Sequence, residues 1–265
     1  MPNRRNIFFF YQNNQCKDDV DNLKQLAHQY NFNVVEDSTD ANIIVSVGGD
    51  STFLQAVRKT GFRQDCLYTG ISADNTSYFY CDFYIKDTKK MIEAMTNEQI
   101  EVRRYPTINV TVDDKVSFNC LNECTIRSSV IKTFVMDVCI DDLQFETFRG
   151  DGLVIATPTG STAYNKSVNG AVVDPMLPCM QVSELASLNN NRYRTLGSSF
   201  ILSGNRKLSL SIVQDGNDYP VIGMDNEALS IQHINKIDFE LSDKIVKTVK
   251  LKDNSFWQKV QRTFL

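Results

Sequence analysis

Near Ile100 the hydrophobic pattern of this chain changes period, and that change limits the folds open to it. Before it, short apolar runs alternate with stretches of helical spacing. Residues 7–11, 33–35, 43–47 and 66–71 read as strands. Val20, Leu23, Leu26, Ala27 and Tyr30 fall on one helical face, Phe53, Leu54, Ala56 and Val57 begin another, and Met91, Ile92 and Met95 mark a third. Strands alternating with helices predict an open α/β sheet. The near-continuous run 43–47 suits a strand buried on both faces. A polar loop is expected at 72–77, followed by the aromatic-rich stretch 78–84.

After Ile100 period-2 runs dominate: 107–112, 116–126, 134–140, 143–148, 207–213, 219–224, 237–241 and 244–251. Asp113-Asp114, Asp141-Asp142 and Asp215-Gly216 separate several of them as turn pairs. This is the pattern of antiparallel strands joined by short hairpins. One interruption, 161–197, is expected to hold a short helix and a second one around 180–188. At the end Phe256, Trp257, Val260 and Phe264 form an apolar helical face that needs a partner. The fold expected is therefore an α/β N-terminal open-sheet domain, residues 1–100, and a mostly antiparallel β C-terminal domain, residues 101–252. The C-terminal helix, 253–265, packs back on the first.

Composition excludes some functions. Net charge is −4 over 265 residues, so no large basic footprint for nucleic acid or an anionic membrane is expected. No apolar run reaches membrane-spanning length, and 8–11 is too short for a signal-peptide core. Seven scattered cysteines, mostly inside apolar runs, read as reduced thiols of a cytoplasmic protein. With only His28 and His233 and no Cys-x-x-Cys, neither a zinc site nor histidine acid/base chemistry is expected.

Two stretches carry chemistry. The apolar run Leu153 to Ala156 breaks on Thr157-Pro158-Thr159-Gly160, after which Ser161 or Thr162 can cap a short helix through Tyr164 and Ser167. A strand, a tight turn and a helix start bring backbone N–H groups and hydroxyls to one place, which suits a polar or phosphate-bearing ligand. The plainer reading is an ordinary strand-turn-helix corner. The second stretch is Gly48-Gly49-Asp50, where a parallel strand turns into a helix, the usual ligand crevice of such sheets. Glycines let the backbone approach a phosphate, whereas the Asp50 carboxylate repels one. Asp50 is either a simple N-cap or the acceptor of a proton from a hydroxyl attacking that phosphate.

Together the two stretches resemble the NAD kinase family. The resemblance rests on Gly48-Gly49-Asp50, Asn122-Glu123, Gly150-Asp151-Gly152 and the string Thr157-Pro158-Thr159-Gly160-Ser161-Thr162-Ala163-Tyr164, and runs along essentially the whole chain, including 169–175. The string is specific to the family, whereas Gly-Gly-Asp is shared with lipid kinases and phosphofructokinases. The short enzymes of Gram-positive bacteria are the most similar type. The resemblance implies transfer of the γ-phosphoryl group of ATP, with a divalent metal ion such as Mg2+, to the 2′-hydroxyl of the adenosine ribose of NAD, giving NADP. Inorganic polyphosphate is an alternative donor.

By the same resemblance Asp50 matches the general base, for which orientation counts for more than basicity in a loose transition state. Gly48, Gly49 and Ser51 lie beside the phosphate donor. Asn122 and Glu123 match residues binding the adenosine and ribose of NAD, as an amide that donates and accepts and a carboxylate that accepts from hydroxyls can. Arg149 and Asp151 match positions at the pyrophosphate and the nicotinamide carboxamide; the plainer alternative is a surface ion pair. Thr162, Ala163, Tyr164, Asn165, Lys166 and Ser167 correspond to the dinucleotide pocket, with Tyr164 able to stack on adenine. Ala186 and Asn226 are carried over on looser motifs. Family members are typically homotetramers with sites completed across subunits.

Two departures stand out. Ser51 occupies the place of a motif glycine, at a cost on the order of 1 kcal/mol if the position needs φ > 0. The loop 72–77 lacks the glycine many members have there. Ser51 keeps open a catalytically weakened NAD- or NADP-binding paralogue with a sensing or regulatory role. A lipid kinase is disfavoured, since those lack the Thr-Pro-Thr-Gly-Ser-Thr-Ala-Tyr string.

Overall fold

The computed structural model describes residues 5–12, 16–76, 78–213, 220–230 and 234–265. Ser77, the Asp215-Gly216 turn, Tyr219 and His233 lie outside the described residues. The chain divides into two compact units, 1–105 with 244–265, and 106–243.

The first unit is built from β1 (Asn6–Tyr11), α1 (Lys17–Gln29), β2 (Asn33–Val34), β3 (Ile43–Gly48), α2 (Asp50–Lys59), β4 (Leu67–Ser72), β5 (Cys81–Tyr84) and α3 (Thr88–Thr96). Among the described residues β1 pairs with β2 and β3, β3 with β4, and β4 with β5, each in parallel. The alternation of strand and helix dictates this, since a parallel partner needs a crossover connection. Ile7, Phe9, Val45 and Val47 on the sheet pack with Val20, Leu23 and Ala27 of α1 and with Met91 and Ala94 of α3. Phe53 of α2, fully buried, stacks on Tyr80 at 4.6 Å between ring centroids. Burying a side chain of that size contributes roughly 1.5–3 kcal/mol.

The second unit comprises the rest of β6 (Ile100–Val112), β7 (Val116–Cys120), β8 (Glu123–Ser128), β9 (Phe134–Ile140), β10 (Leu143–Gly150), β11 (Gly152–Ala156), the single turn α4 (Tyr164–Ser167), β12 (Cys179–Leu185), β13 (Phe200–Ser203), β14 (Leu208–Ile212), β15 (Pro220–Met224), β16 (Glu227–Ser230) and the start of β17 (Lys236–Leu251). It is built on antiparallel pairs, among them β9 with β10, β8 with β11, β11 with β12 and β8 with β15. One sheet runs β13-β12-β11-β8-β15-β16, and β10-β9-β14-β17 runs in the other. Ile126, Leu153, Ile155, Val182 and Ile222 meet Phe134, Met136, Val138, Leu210 and Phe239 in one core. β17 ends in the first unit, where Thr248 pairs with Tyr68 of β4 in parallel and α5 (Phe256–Phe264) follows. Ser255 and Gln258 close a reciprocal capping box at the start of α5. The helix returns to its own unit through ring contacts of Phe256 and Phe264 with Phe79.

Several elements differ from the expected ones. The helix expected around 180–188 is instead strand β12. Its polar residues gave no alternation, because Gln181 and Ser183 are themselves buried and bonded, Gln181 to the backbone N–H and C=O of Ala171 and Ser183 to Asn165. The run 116–126 is two strands broken at Leu121-Asn122, whereas 237–241 and 244–251 are one strand. The short strands β5, β13 and β16 carry too few residues for a periodic signal. In α5 the deepest residue is Lys259, while Trp257 is 48% exposed and Phe264 38%.

Candidate functional site

The glycine-lined corner belongs to the first unit. At the end of β3 Gly48 has φ +154°, and a Cβ there would stand 2.3 Å from the Thr52 hydroxyl, so a side chain is excluded. Gly49 is the N-cap of α2 and Asp50 its first residue, so the capping role expected as one option for Asp50 is not the one it takes. The carboxylate turns away from its helix and accepts two backbone hydrogen bonds, Phe79 N–H to Oδ2 at 2.9 Å and Tyr80 N–H to Oδ1 at 2.7 Å. A carboxylate offers about four acceptor positions, so capacity for a ligand hydroxyl remains.

Ser51 is the second residue of α2, exposed, and not among the residues with positive φ. The strain allowed for at this position does not exist, because a helical φ suits serine as well as glycine. The glycine-free loop has a similar explanation. No residue from Ser72 to Thr76 has positive φ, and Asp74 ties the loop by accepting from Thr76 N–H at 2.9 Å and from the Tyr78 hydroxyl at 3.1 Å.

The hydroxyl-rich corner belongs to the second unit. It forms around the break between β7 and β8, which is gripped from two sides. Asp225, in the hairpin turn between β15 and β16 at φ +50°, accepts from the N–H groups of Leu121 (3.1 Å), Asn122 (2.7 Å) and Glu123 (3.2 Å). From the other side the Thr157 hydroxyl donates to Leu121 C=O at 2.6 Å and accepts from Gly160 N–H at 2.9 Å, while Thr157 N–H reaches Asn122 C=O at 2.8 Å. Gly160 lies so close that a Cβ would stand 2.0 Å from the Asn122 carbonyl oxygen. The string after β11 therefore has a structural task as well, since it fixes the Asn122-Glu123 pair.

Ser161 and Thr162 do not cap α4, whose N-cap is Ala163 without a side-chain bond. Residues Thr159–Thr162 form a tight turn first, and the Ser161 hydroxyl donates to Pro158 C=O at 2.6 Å and accepts from Val173 N–H at 2.9 Å. Asn165 points inward, fully buried, accepting from the Ser183 hydroxyl at 2.7 Å. Lys166 is half-buried and Ser167 exposed. Tyr164 N–H bonds the Glu123 carboxylate, and its hydroxyl lies 3.4 Å from Arg127 Nη1. Two buried polar atoms at this corner, Glu123 Oε2 and Thr159 Oγ1, have no hydrogen-bond partner among the described residues. Such atoms are costly in a native interior.

Burial, and the Asp225 carboxylate after it, push the Glu123 carboxyl up to about 8, so it is protonated at neutral pH and can both donate and accept. A pKa raised on folding means that the native state binds more protons between about 4.5 and 8, so the contribution is full below that window and lost as pH rises through it. Relative to the non-titrating variant Glu123→Gln, the wild-type chain will lose on the order of 3 kcal/mol between pH 5 and 8.5, read by urea unfolding at both pH values. Parallel stabilities would mean that Glu123 is ionised.

Arg149, Asp151 and Ala186 form a second group in this unit. The Arg149 guanidinium lies over the Tyr193 ring, 4.4 Å from its centroid. Asp151 N–H bonds Leu185 C=O at 2.8 Å, and its exposed side chain lines a depression of about 660 Å³ with Arg127 and Lys132. Ala186, just beyond β12, is held at φ +45°, a conformation costly for an L-residue. Arg127 links this group to Tyr164, and Asn226, exposed in the turn beside Asp225, borders the first one.

Sequence reasoning missed Asp225, Arg127 and the buried Asp82, Lys250 and Lys259 of the first unit. For Lys250 a signal existed: the inward alternation Val246, Thr248, Lys250 puts a lysine at a core position of β17. Among the described residues no group of three or more His, Cys, Asp or Glu gathers to hold a metal ion, and no helix is long and apolar enough to cross a membrane.

This fold is that of the NAD and NADH kinases. It matches the crystal structure of yeast NADH kinase complexed with NADH at TM-score 0.83 (17% identity, 98% of this chain and 87% of that one). It matches an NAD kinase from Archaeoglobus fulgidus in complex with ATP at 0.76 (21% identity, 98% and 97%). Residues 121–251 match the ATP-NAD kinase C-terminal domain. NAD kinase 2 of Bacillus subtilis is 65% identical over 99% of this chain and 98% of its own length, and NAD kinase 2 of Bacillus licheniformis is 65% identical over all of both. The chain belongs to the NAD kinase family.

Proposed function

We infer that this chain is an NAD kinase, transferring the γ-phosphoryl group of ATP to the 2′-hydroxyl of the adenosine ribose of NAD to give NADP. The observation that carries the reading is the Asp50 carboxylate, fixed at a glycine-lined helix start by two backbone N–H groups, in a chain 65% identical to NAD kinase 2 over nearly its full length. Asp50 takes the proton of the attacking hydroxyl. Backbone N–H groups of Gly48, Gly49 and Ser51 at the start of α2 favour the anionic donor. The divalent metal ion, Mg2+ in this reading, arrives as part of the substrate on the ATP phosphates, where it neutralises charge.

In the second unit Asn122 and Glu123 bind the adenosine part of NAD, supported by the unpartnered Glu123 Oε2. Thr162, Ala163, Tyr164, Lys166 and Ser167 line the dinucleotide, and Asn165 shapes that turn from within. Arg149, Asp151, Ala186 and Asn226 complete the proposed contacts. The same proposal includes a cytoplasmic homotetramer, which fits the seven free thiols and the exposure of Met176, Leu177 and Ile201.

The test is purified chain with NAD, ATP and Mg2+, NADP being read by an NADP-specific dehydrogenase. Formation that requires both nucleotides is expected; bound NAD without NADP would favour the weakened paralogue instead. Because Ser51 is unstrained, Ser51→Gly will change turnover less than about twofold and lower stability by only about 0.5 kcal/mol or less, since serine is itself a weaker helix former than alanine. A several-fold gain in rate would show that the serine side chain obstructs the donor.

A further inference from the structure

The segment that holds Asp50 is itself held by two buried ammonium groups. Lys250 Nζ donates to Phe79 C=O at 3.1 Å and Tyr80 C=O at 2.5 Å, and Lys259 Nζ donates to Tyr78 C=O at 3.2 Å and Phe79 C=O at 2.7 Å. Both face the Asp82 carboxylate, whose second oxygen accepts from Leu251 N–H at 2.8 Å. All three side chains are at most 3% exposed.

The arrangement is directional. In the peptide group between Tyr78 and Phe79 the C=O faces Lys259 and the N–H faces Asp50; in the next one the C=O faces both lysines and the N–H again faces Asp50. Two peptide dipoles thus run from the buried cations to the carboxylate, and hydrogen bonds linked in this way strengthen one another. A purely structural ion pair needs one cation for Asp82. The second lysine adds net positive charge to a buried site, a costly choice unless it does something else. Its cost is visible: burial and the neighbouring Lys250 push Lys259 down to about 7, whereas Asp82 is held below the usual carboxylate range by both lysines against its burial.

We propose that Asp82, Lys250 and Lys259 form a positioning triad that sets the Asp50 carboxylate for proton transfer, acting through the peptide groups of residues 78–80. The proposal rests on the reading of Asp50 as the base. It gives β17 and α5 a role in turnover, although neither carries a family motif.

Lys259→Met tests it. Loss of this lysine leaves Asp82 paired with Lys250, so the variant keeps a neutral buried pair and folds. Trp257→Ala, on the same helix and outside the triad, controls for general loosening. The expected result is a fall in kcat of about tenfold or more in Lys259→Met, with KM for NAD within about twofold, and near-wild-type kcat in Trp257→Ala. Independently of activity, exchange of the Phe79 and Tyr80 amide protons will accelerate by about tenfold in Lys259→Met while the amides of β3 do not change. Unchanged exchange at these two amides, or a kcat loss matched by Trp257→Ala, would overturn the proposal. Faster exchange in Lys259→Met, together with a wild-type chain that makes no NADP, would uphold the hold on Asp50 and refute its catalytic reading.

Discussion

Asp50→Asn will leave NAD bound at close to wild-type affinity and slow NADP formation by a factor on the order of 10²–10⁴, the usual contribution of a positioned general base. The geometry explains why an isosteric change is so severe. Phe79 and Tyr80 each present an N–H to a separate oxygen of the carboxylate, at 2.9 and 2.7 Å. Asparagine has one oxygen, so its amide nitrogen must face one of these donors, and one tether is lost along with the proton acceptor. Stability should fall by roughly 1–3 kcal/mol for the donor left unpaired. Calorimetric titration with NAD and steady-state rates check both halves. Activity near wild type would reduce Asp50 to a tie for the 79–80 segment.

Gly160→Ala will damage the other corner. Its Cβ would stand 2.0, 2.4 and 2.6 Å from the carbonyl oxygen, carbonyl carbon and Cα of Asn122, all backbone atoms. That backbone cannot give way cheaply, because Asp225 holds Asn122 N–H at 2.7 Å and Thr157 N–H holds its C=O at 2.8 Å. Overpacking of this kind costs about 1–3 kcal/mol or more. The Asn122-Glu123 pair must shift with it, so NAD affinity should drop by on the order of a hundredfold, equivalent to about 3 kcal/mol. Urea unfolding and NAD titration read the two effects. A variant that binds NAD normally would separate the string from the site.

How much of this could be read from the chain depended on whether residues near in space were near in sequence. The parallel sheet was legible because 43–47 is a nearly continuous apolar strand between helical stretches. The hydroxyl-rich corner was legible because strand, turn and short helix follow one another from Leu153 to Ser167. The strand β12 was not, because Gln181 and Ser183 find buried partners that lie ten and eighteen residues away, and so erase the alternation that marks a half-exposed strand. Asp225 could not be assigned to the Asn122-Glu123 pair, since more than a hundred residues separate them. Ser51 shows the converse. A glycine position in a motif invites a strain argument, and only the backbone shows that the residue is an ordinary helical one. In α5 the apolar face was visible, but nothing in the local sequence places Asp82, 177 residues earlier in the chain, against Lys259.

The central claim is that phosphate moves from ATP to the 2′-hydroxyl of NAD under the control of Asp50. ATP labelled in its γ-phosphate, incubated with NAD, Mg2+ and either wild-type or Asp50→Asn chain, tests it most directly. The account predicts that the label arrives on the 2′ position of the adenosine ribose with the wild-type chain, and that transfer nearly vanishes in the variant although NAD stays bound. Label found only in inorganic phosphate, or on the ribose at equal rates in both proteins, would contradict it.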